Sequence, residues 1–379
     1  MKILIIHNYY TERGGEDVVF EQECQLLEST NEVQKITFHN KRGLVGLFQF
    51  FFSIWNITAA LKLKKCIINF NPDVIHIHNL HFASGPLIIR TAKRHDKKVI
   101  LTLHNYRIIC PTATLFFKNK IYLNSKNQSF PWEIIFKKGF RNSFLLTFWL
   151  AFVNWFHKKI NTWNMVDNYI VLTNFARDTI LESKFGIDTK KIIVKQNFTT
   201  PNQNLDSIRN NTFLFVGRLS SEKGIIFLID VCLRNNIQLH IIGSGELENE
   251  VLQKISHTDT IKFLGKKNTN EIKLLMKEYM ALLFPSLWFE GMPMVILEAF
   301  ASGLPIIGCD LGAIPSIINH EYNGLIFEAN NEKNFIETIN IWNNYSQIQK
   351  EEMSRNAYNT YLEYYTPEIN LITLKKIYN

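Results

Sequence analysis

The 379-residue sequence predicts an α/β protein made of two doubly wound parallel sheets, and three observations carry that expectation. Short apolar runs alternate with longer amphipathic stretches along most of the chain, the pattern of parallel strands joined by helical crossovers. The chain is too long for one ordinary core and suits two domains of average size. Between the two sets of runs lies "NFTTPNQNLDSIRNN" (197–211), polar and turn-rich, which reads as a linker. The expected units are 1–198 and 205–360, with a C-terminal helix over 361–379 packing back on the first.

In the first half the strand-like runs are "KILIIH" (2–7), "QKITF" (34–38), "DVIHIH" (73–78), "VILTLH" (99–104) and "NYIVLT" (168–173). In the second they are "TFLFVG" (212–217), "IQLHIIG" (237–243), "TIKFLG" (260–265), "ALLFPS" (281–286), "LPIIGC" (304–309) and "GLIF" (324–327). Open α/β sheets bind ligands beyond the carboxyl ends of their strands. The positions to inspect are therefore His7 onward, His78, His104, Gly217 onward, Gly243 and Ser286 onward.

Composition narrows the partners. Apolar residues make up 46% and charged residues 20%, enough for sizeable cores and unlike a disordered chain. The opening "MKILIIHNYY" has too short an apolar run for a signal peptide. Five widely spaced cysteines (24, 66, 110, 232, 309) with no CxxC argue against a disulfide framework or zinc site and favour a reducing cytoplasm. The net charge of +8 suits anionic partners without choosing among nucleic acid, acidic lipid and phosphorylated small molecules.

Two segments break the alternation. Residues 43–65, "GLVGLFQFFFSIWNITAALKLKK", are aromatic-rich and flanked by Lys41, Arg42, Lys62, Lys64 and Lys65; residues 130–163 add four tryptophans and further lysines. Neither offers about 20 unbroken apolar residues for a transmembrane span. Aromatics beside bases suit helices lying in a membrane interface, the alternative being ordinary core helices.

The stretch "WFEGMPMVILEAFASGLPII" (288–307) places Glu290 and Glu298 eight positions apart. A helix is expected from Met294 to near Gly303, with Glu290 in the preceding loop and Glu298 about a turn inside. The free amides of Met294 and Val295 and the macrodipole make that end an anion site, and Gly291 lets backbone approach a ligand. Carboxylates beside such a site repel phosphate unless they address hydroxyls, which suits a nucleotide diphosphate carrying a sugar; the plain alternative is a helix whose acids face water. "FVGRLSSEKG" (215–224) follows a strand: Gly217 makes the exit, and Arg218 and Lys223 project toward the ligand end, the alternative being an exposed basic loop. "HNYYTERGGEDVVFEQ" (7–22) is a strand exit whose Gly14 and Gly15 open backbone to a ligand at a helix start, or simply a flexible connection. "HIHNLH" (76–81) invites a metal reading, but His76 and His78 share a strand face with no acid accompanying them.

"GRLSSEKG", "EGMPMVILEAFASGLPII" with its Glu-x7-Glu spacing, and "RGGEDVVF" together make the sequence resemble the retaining glycosyltransferases of family 4. The resemblance covers nearly the whole chain and is most specific over 212–327. It implies the GT-B fold, two Rossmann-like domains facing across a cleft. It assigns the donor diphosphate to Arg218 and Lys223, the transferred sugar to Glu290, and the sugar and phosphate surroundings to the backbone of Gly291, Met292, Pro293, Met294 and Val295. Glu298 would hold the ribose hydroxyls, and "GSGE" with Gly243 and "FLGKK" with Gly265 match loops beside the nucleobase. His104 would contact the donor sugar, joining Glu290, Arg218 and Lys223 in the catalytic set; His78 and Asn105 would line the acceptor side. Members use no DxD-bound metal, no DxD triplet is present, and no cofactor is expected beyond a UDP- or GDP-linked donor. Relatives with "HNYRxxCP" often carry further cysteines downstream; their absence here leaves Cys110 unpaired.

The implied reaction moves a sugar to an acceptor hydroxyl with retention, on a glycan or lipid-linked glycan in cell-surface polysaccharide or lipopolysaccharide assembly. The expected location is the cytoplasm, at the inner face of the cell membrane, with peripheral contact through 43–65 and 130–163 and no nucleic acid. A nucleotide-sugar 2-epimerase shares the architecture but not the full "EGMPMVILEAFASG" stretch. A non-catalytic membrane- or glycan-binding protein would not need every catalytic position filled. A dinucleotide dehydrogenase needs GxGxxG after the first strand, which "NYYTERGGED" does not supply.

Overall fold

The computed structural model describes residues 1–202 and 209–379, so the centre of the expected linker, 203–208, lies outside the described residues. The chain divides into two compact units. One comprises 1–115, 122–197 and 370–379; the other comprises 116–121 and 198–369.

The first unit holds a six-stranded, all-parallel sheet of β1 (Lys2–Tyr9), β2 (Glu32–His39), β3 (Val74–Ile77), β4 (Lys98–Leu103), β7 (Asn168–Val171) and β8 (Ile192–Val194). Their order is β2-β1-β3-β4-β7-β8. A short antiparallel hairpin, β5 (Phe116–Phe117) and β6 (Lys120–Ile121), stands apart from it. The second unit holds β9 (Phe213–Val216), β10 (Leu239–Ile242), β11 (Ile261–Phe263), β12 (Ala281–Phe284), β13 (Ile306–Cys309) and β14 (Gly324–Phe327), again all parallel, in the order β11-β10-β9-β12-β13-β14. The chain reverses its direction of winding at β1/β3 in the first sheet and at β9/β12 in the second. Such switch points open a crevice at the carboxyl ends of the strands.

Every expected strand forms, shortened by a residue or more at most ends. β8 was not expected, since "IIV" is too short to stand out from its surroundings. In the helix Gly15–Glu28 the apolar positions Val19, Phe20, Cys24 and Leu27 are buried, and Phe20, Cys24 and Leu27 pack with Ile3, Ile5, Val74 and Ile100 of the sheet. The C-terminal helix Pro367–Tyr378 sends Leu374, Ile377 and Tyr378 into that same core. The return to the first unit is nevertheless shorter than the expected 361–379. The Tyr361 hydroxyl donates to the Thr199 carbonyl at 3.1 Å, and the Thr199 amide donates to that of Tyr365, which keeps this stretch with the second unit.

The two aromatic segments are half core and half surface. Residues 43–65 form the helix Gly43–Phe52, a short 3-10 turn and the start of the helix Ile57–Phe70. Phe50 stacks on Phe140, Phe51 meets Trp149, and the Trp149 indole donates to the Phe50 carbonyl at 3.1 Å. The opposite face leaves Leu44, Phe48, Phe52 and Leu61 exposed, and the second segment exposes Trp132, Phe136 and Leu145. Among the described residues no single helix is long and apolar enough to cross a membrane, and the pair Gly43–Trp55 and Ile57–Phe70 is bent by 67°.

Candidate functional site

The second sheet's switch point brings two loops together. Gly224 adopts a left-handed conformation (φ 69°), and a Cβ there would lie 2.1 Å from the Pro285 carbonyl oxygen, so the turn after β9 is pressed against the exit of β12. The Leu287 amide donates to the Glu222 carbonyl at 2.8 Å and closes the seam. Gly243 (φ 154°) would place a Cβ 1.9 Å from the Gly217 carbonyl oxygen, so the exits of β9 and β10 touch backbone to backbone. These close approaches need glycine, and they fix where the following side chains start.

The Lys223 ammonium consequently sits 2.5 Å from Glu290 Oε1, and Ser286 Oγ donates to the same carboxylate oxygen at 2.7 Å. The Lys223 ammonium also lies 5.2 Å from the centre of the Trp288 ring, whose indole N–H is buried without an acceptor among the described residues. Glu290 is only 6% exposed. The helix Met294–Ala301 begins four residues later, capped by Pro293, and Gly303 (φ 59°) follows its end, as expected from the sequence. Met294 and Val295, its first amides, precede the i to i−4 ladder. Arg218 is exposed and its guanidinium makes no ion pair among the described residues. Gly265 (φ 69°) has open space where a Cβ would stand.

Glu298 is buried one turn inside that helix. Burial pushes its carboxyl up to about 7 against the pull of the Lys273 ammonium, and its oxygens accept no hydrogen bond among the described residues. A buried carboxyl raised in this way can both donate and accept hydrogen bonds. Sequence reasoning missed Lys273, Ser286 and Trp288 as contributors. Ser286 and Trp288 stood in the strand-exit stretch already singled out, whereas Lys273 comes from the separate helix Thr269–Leu275.

In the first unit, a pocket partly open to solvent at the carboxyl ends of β3 and β4 is lined by Glu16, His78, Asn79, His81, His104 and Asn105. The His104 imidazole is held well below its usual range, first by burial and then by the nearby His78 and His7. It therefore serves as a neutral hydrogen-bonding group. Burial, reinforced by Asp17 and opposed by Arg107, pushes the Glu16 carboxyl up to about 8. Gly14 and Gly15 have open space around the Cβ positions, and Asp17 Oδ2 accepts from the Gly14 amide at 2.8 Å to cap the helix. Asn105 Oδ1 accepts from the Arg107 amide at 3.0 Å and shapes the loop.

His78 does not present a free ring to an acceptor. Its Nδ1 is 3.2 Å from His104 Nε2 and its Nε2 is 3.0 Å from Glu23 Oε2. The reading that no acid accompanies "HIHNLH" is corrected here: Glu23, on the helix Gly15–Glu28, reaches His76 and His78 from above the sheet, and all three are buried. Sequence proximity could not reveal an acid supplied by another element. The group is already committed, however. The Lys195 ammonium pairs with Glu23, and the His76 nitrogens bond Tyr378 Oη at 2.8 Å and Thr102 Oγ1 at 2.7 Å. A cation would have to displace an ammonium already neutralising the carboxylate. Cys110 is a buried free thiol whose sulfur lies 3.2 Å from Thr112 Oγ1.

Residues 7–202, just over half the chain, match the model described as Glycosyltransferase Family 4, and residues 198–360 match Glycosyl transferases group 1. The chain belongs to glycosyltransferase family 4. Among curated members it is 31% identical over 186 residues to an uncharacterized glycosyltransferase of Haemophilus influenzae, covering 46% of this chain and 51% of that protein. It is 29% identical over 167 residues to the Escherichia coli UDP-Gal:alpha-D-GlcNAc-diphosphoundecaprenol alpha-1,3-galactosyltransferase, covering 41% of this chain and 42% of that one. These matches span about half or less of the relatives' lengths. In structure it is similar to Anabaena HepE in complex with UDP, with a TM-score of 0.69 and 16% identity over 100% of this chain and 99% of that one. The family 4 chain thus has the GT-B fold.

Proposed function

We propose that this family 4 protein is a retaining glycosyltransferase that moves a sugar from a nucleoside diphosphate donor to an acceptor hydroxyl without a metal ion. The observation that carries the reading is the meeting of Lys223, Glu290 and Ser286 at the β9/β12 switch point, just before the helix Met294–Ala301. As the sugar–phosphate bond breaks, negative charge gathers on the diphosphate and positive charge on the sugar ring. Lys223, Arg218 and the helix start oppose the first; Glu290 orients the sugar and offsets the second. Lys223 and Glu290 pair directly, so a cation for the diphosphate and an anion for the sugar stand side by side where the donor binds. The leaving phosphate takes the acceptor's proton, which requires no protein nucleophile. Glu298 receives the ribose hydroxyls.

The acceptor in this proposal is a lipid-linked glycan in cell-surface polysaccharide assembly, met at the cytoplasmic face of the membrane. Two features support it: the exposed aromatic faces of 43–65 and 130–163, and the diphosphoundecaprenol acceptor in the name of the E. coli relative. A thermal-shift screen against UDP, GDP, ADP and their sugars, followed by NMR of the product's anomeric configuration, tests the reading. Binding of one nucleotide sugar and transfer with retention are expected. An inverted product or a freed epimer of the donor sugar overturns it.

A further inference from the structure

A second pocket of the first unit, partly open to solvent, lies between residues 108–111, the segment 125–131 and the helix Phe144–Lys159. Its walls carry Lys126, Lys158 and Lys184 and no carboxylate. Lys126 donates to Glu182, an exposed acid outside the lining, at 2.7 Å. The Lys158 ammonium donates to the Lys184 backbone carbonyl, and neither Lys158 nor Lys184 has an acid partner among the described residues. Gln128, also on the wall, has its carbonyl oxygen buried without a donor; turning the amide over would present its NH2 instead. Burial first, and then the adjacent Lys159, push the Lys158 ammonium below its ordinary range. Such a cavity favours an anion with several acceptor oxygens.

One wall is Trp155, and from it a chain of ring contacts leads outward. Trp155 lies 6.1 Å from Phe130, Phe130 4.8 Å from Trp132, Trp132 6.1 Å from Phe136, and Phe136 5.8 Å from Phe144. The outer members Trp132, Phe136 and Phe144 are exposed. On its other side the cavity shares Ile108 with the polar cavity that holds Glu16 and His104.

We propose that this cavity binds the diphosphate of a lipid-linked acceptor, with the hydrocarbon chain along the aromatic array and the sugar directed past Ile108 toward His104. The proposal rests on the transferase reading above and specifies where its acceptor docks. Free pyrophosphate would use the same lysines but gain nothing from the rings, so the two sources of the same chemistry separate by experiment.

Calorimetric titration of the full chain with farnesyl diphosphate, farnesol and inorganic pyrophosphate provides the test. Farnesyl diphosphate should bind, with pyrophosphate and farnesol each roughly tenfold weaker or worse. Lys158→Gln combined with Lys184→Gln should weaken farnesyl diphosphate binding by roughly tenfold or more, while Lys184→Arg retains it. The titrations are run with the nucleoside diphosphate from the donor screen at saturation, so that the diphosphate site at Lys223 is already filled. Equal binding by wild type and the double variant overturns the proposal, as does pyrophosphate matching farnesyl diphosphate. Should the double variant fold poorly, Lys184→Glu at its exposed position gives the same readout. Titration with the nucleoside diphosphate from the donor screen keeps the two readings apart. If it does not bind, the transferase reading fails whatever the lysines do; if it binds and the lysine changes have no effect, only the docking site fails.

Discussion

Glu290 holds both a cation and a hydroxyl within 2.7 Å, so Glu290→Gln should keep the site's shape while removing its charge. Turnover should fall by roughly 10²–10³-fold with donor binding largely intact; near-normal steady-state rates would remove this carboxylate from the chemistry. Lys223→Ala should weaken nucleoside diphosphate binding by roughly ten- to a hundredfold, the worth of a charge-assisted phosphate contact, and unchanged calorimetric affinity would exclude that contact. Glu298 makes a prediction about pH. Its carboxyl, raised from 4.5 to about 7 in the folded chain, holds its proton more tightly folded than unfolded. Its contribution to stability is therefore complete below 4.5 and lost as pH rises toward 7. Glu16 acts in the same direction, so the test is a difference: Glu298→Gln should fall less steeply than wild type in denaturant stability between pH 5 and 7, and parallel curves would refute the shift.

The site depends on how its loops are joined. Gly224 couples the turn after β9 to the exit of β12, and any side chain there meets both an unfavourable φ and the Pro285 carbonyl. Gly224→Ala should destabilise the second unit by about 1–3 kcal/mol or more and pull Lys223 off Glu290. A urea midpoint equal to that of wild type would show that the seam can relax. The helix Met294–Ala301 illustrates what pattern conveys: the sequence places its start at Met294 and its end near Gly303, and the helix runs from Met294 to Ala301 with Gly303 just beyond. Strand β8 and the hairpin β5–β6 were illegible for the opposite reason, since two or three residues carry no period and are held in place by neighbours distant in the chain.

The exposed face of the two aromatic segments bears on the protein as a whole. Phe48 and Phe52 are 63% and 64% exposed and Phe136 is 68% exposed, beside lysines and arginines that favour anionic headgroups at about 1 kcal/mol each. The protein should co-sediment with phosphatidylglycerol vesicles at low salt, release as salt rises, and bind neutral phosphatidylcholine weakly. Phe48→Asp with Phe136→Asp should abolish the association without lowering Tm. Failure of wild type to sediment at low salt would return these faces to some other role.

Local chemistry was enough to declare the two sheets and the ends of the helix Met294–Ala301, and to single out Lys223, Glu290 and Glu298 as candidates, because period, caps and strand exits are properties of short stretches. The partnerships were decided only by tertiary packing. Lys223 meets Glu290 because two loops touch at Gly224, and Glu23 joins His76, His78 and Lys195 because a helix, a strand with its exit and a later segment converge on one core. Contacts between residues 67 or 172 positions apart leave no trace in local pattern, since their energy comes from packing that exists only once the chain has folded.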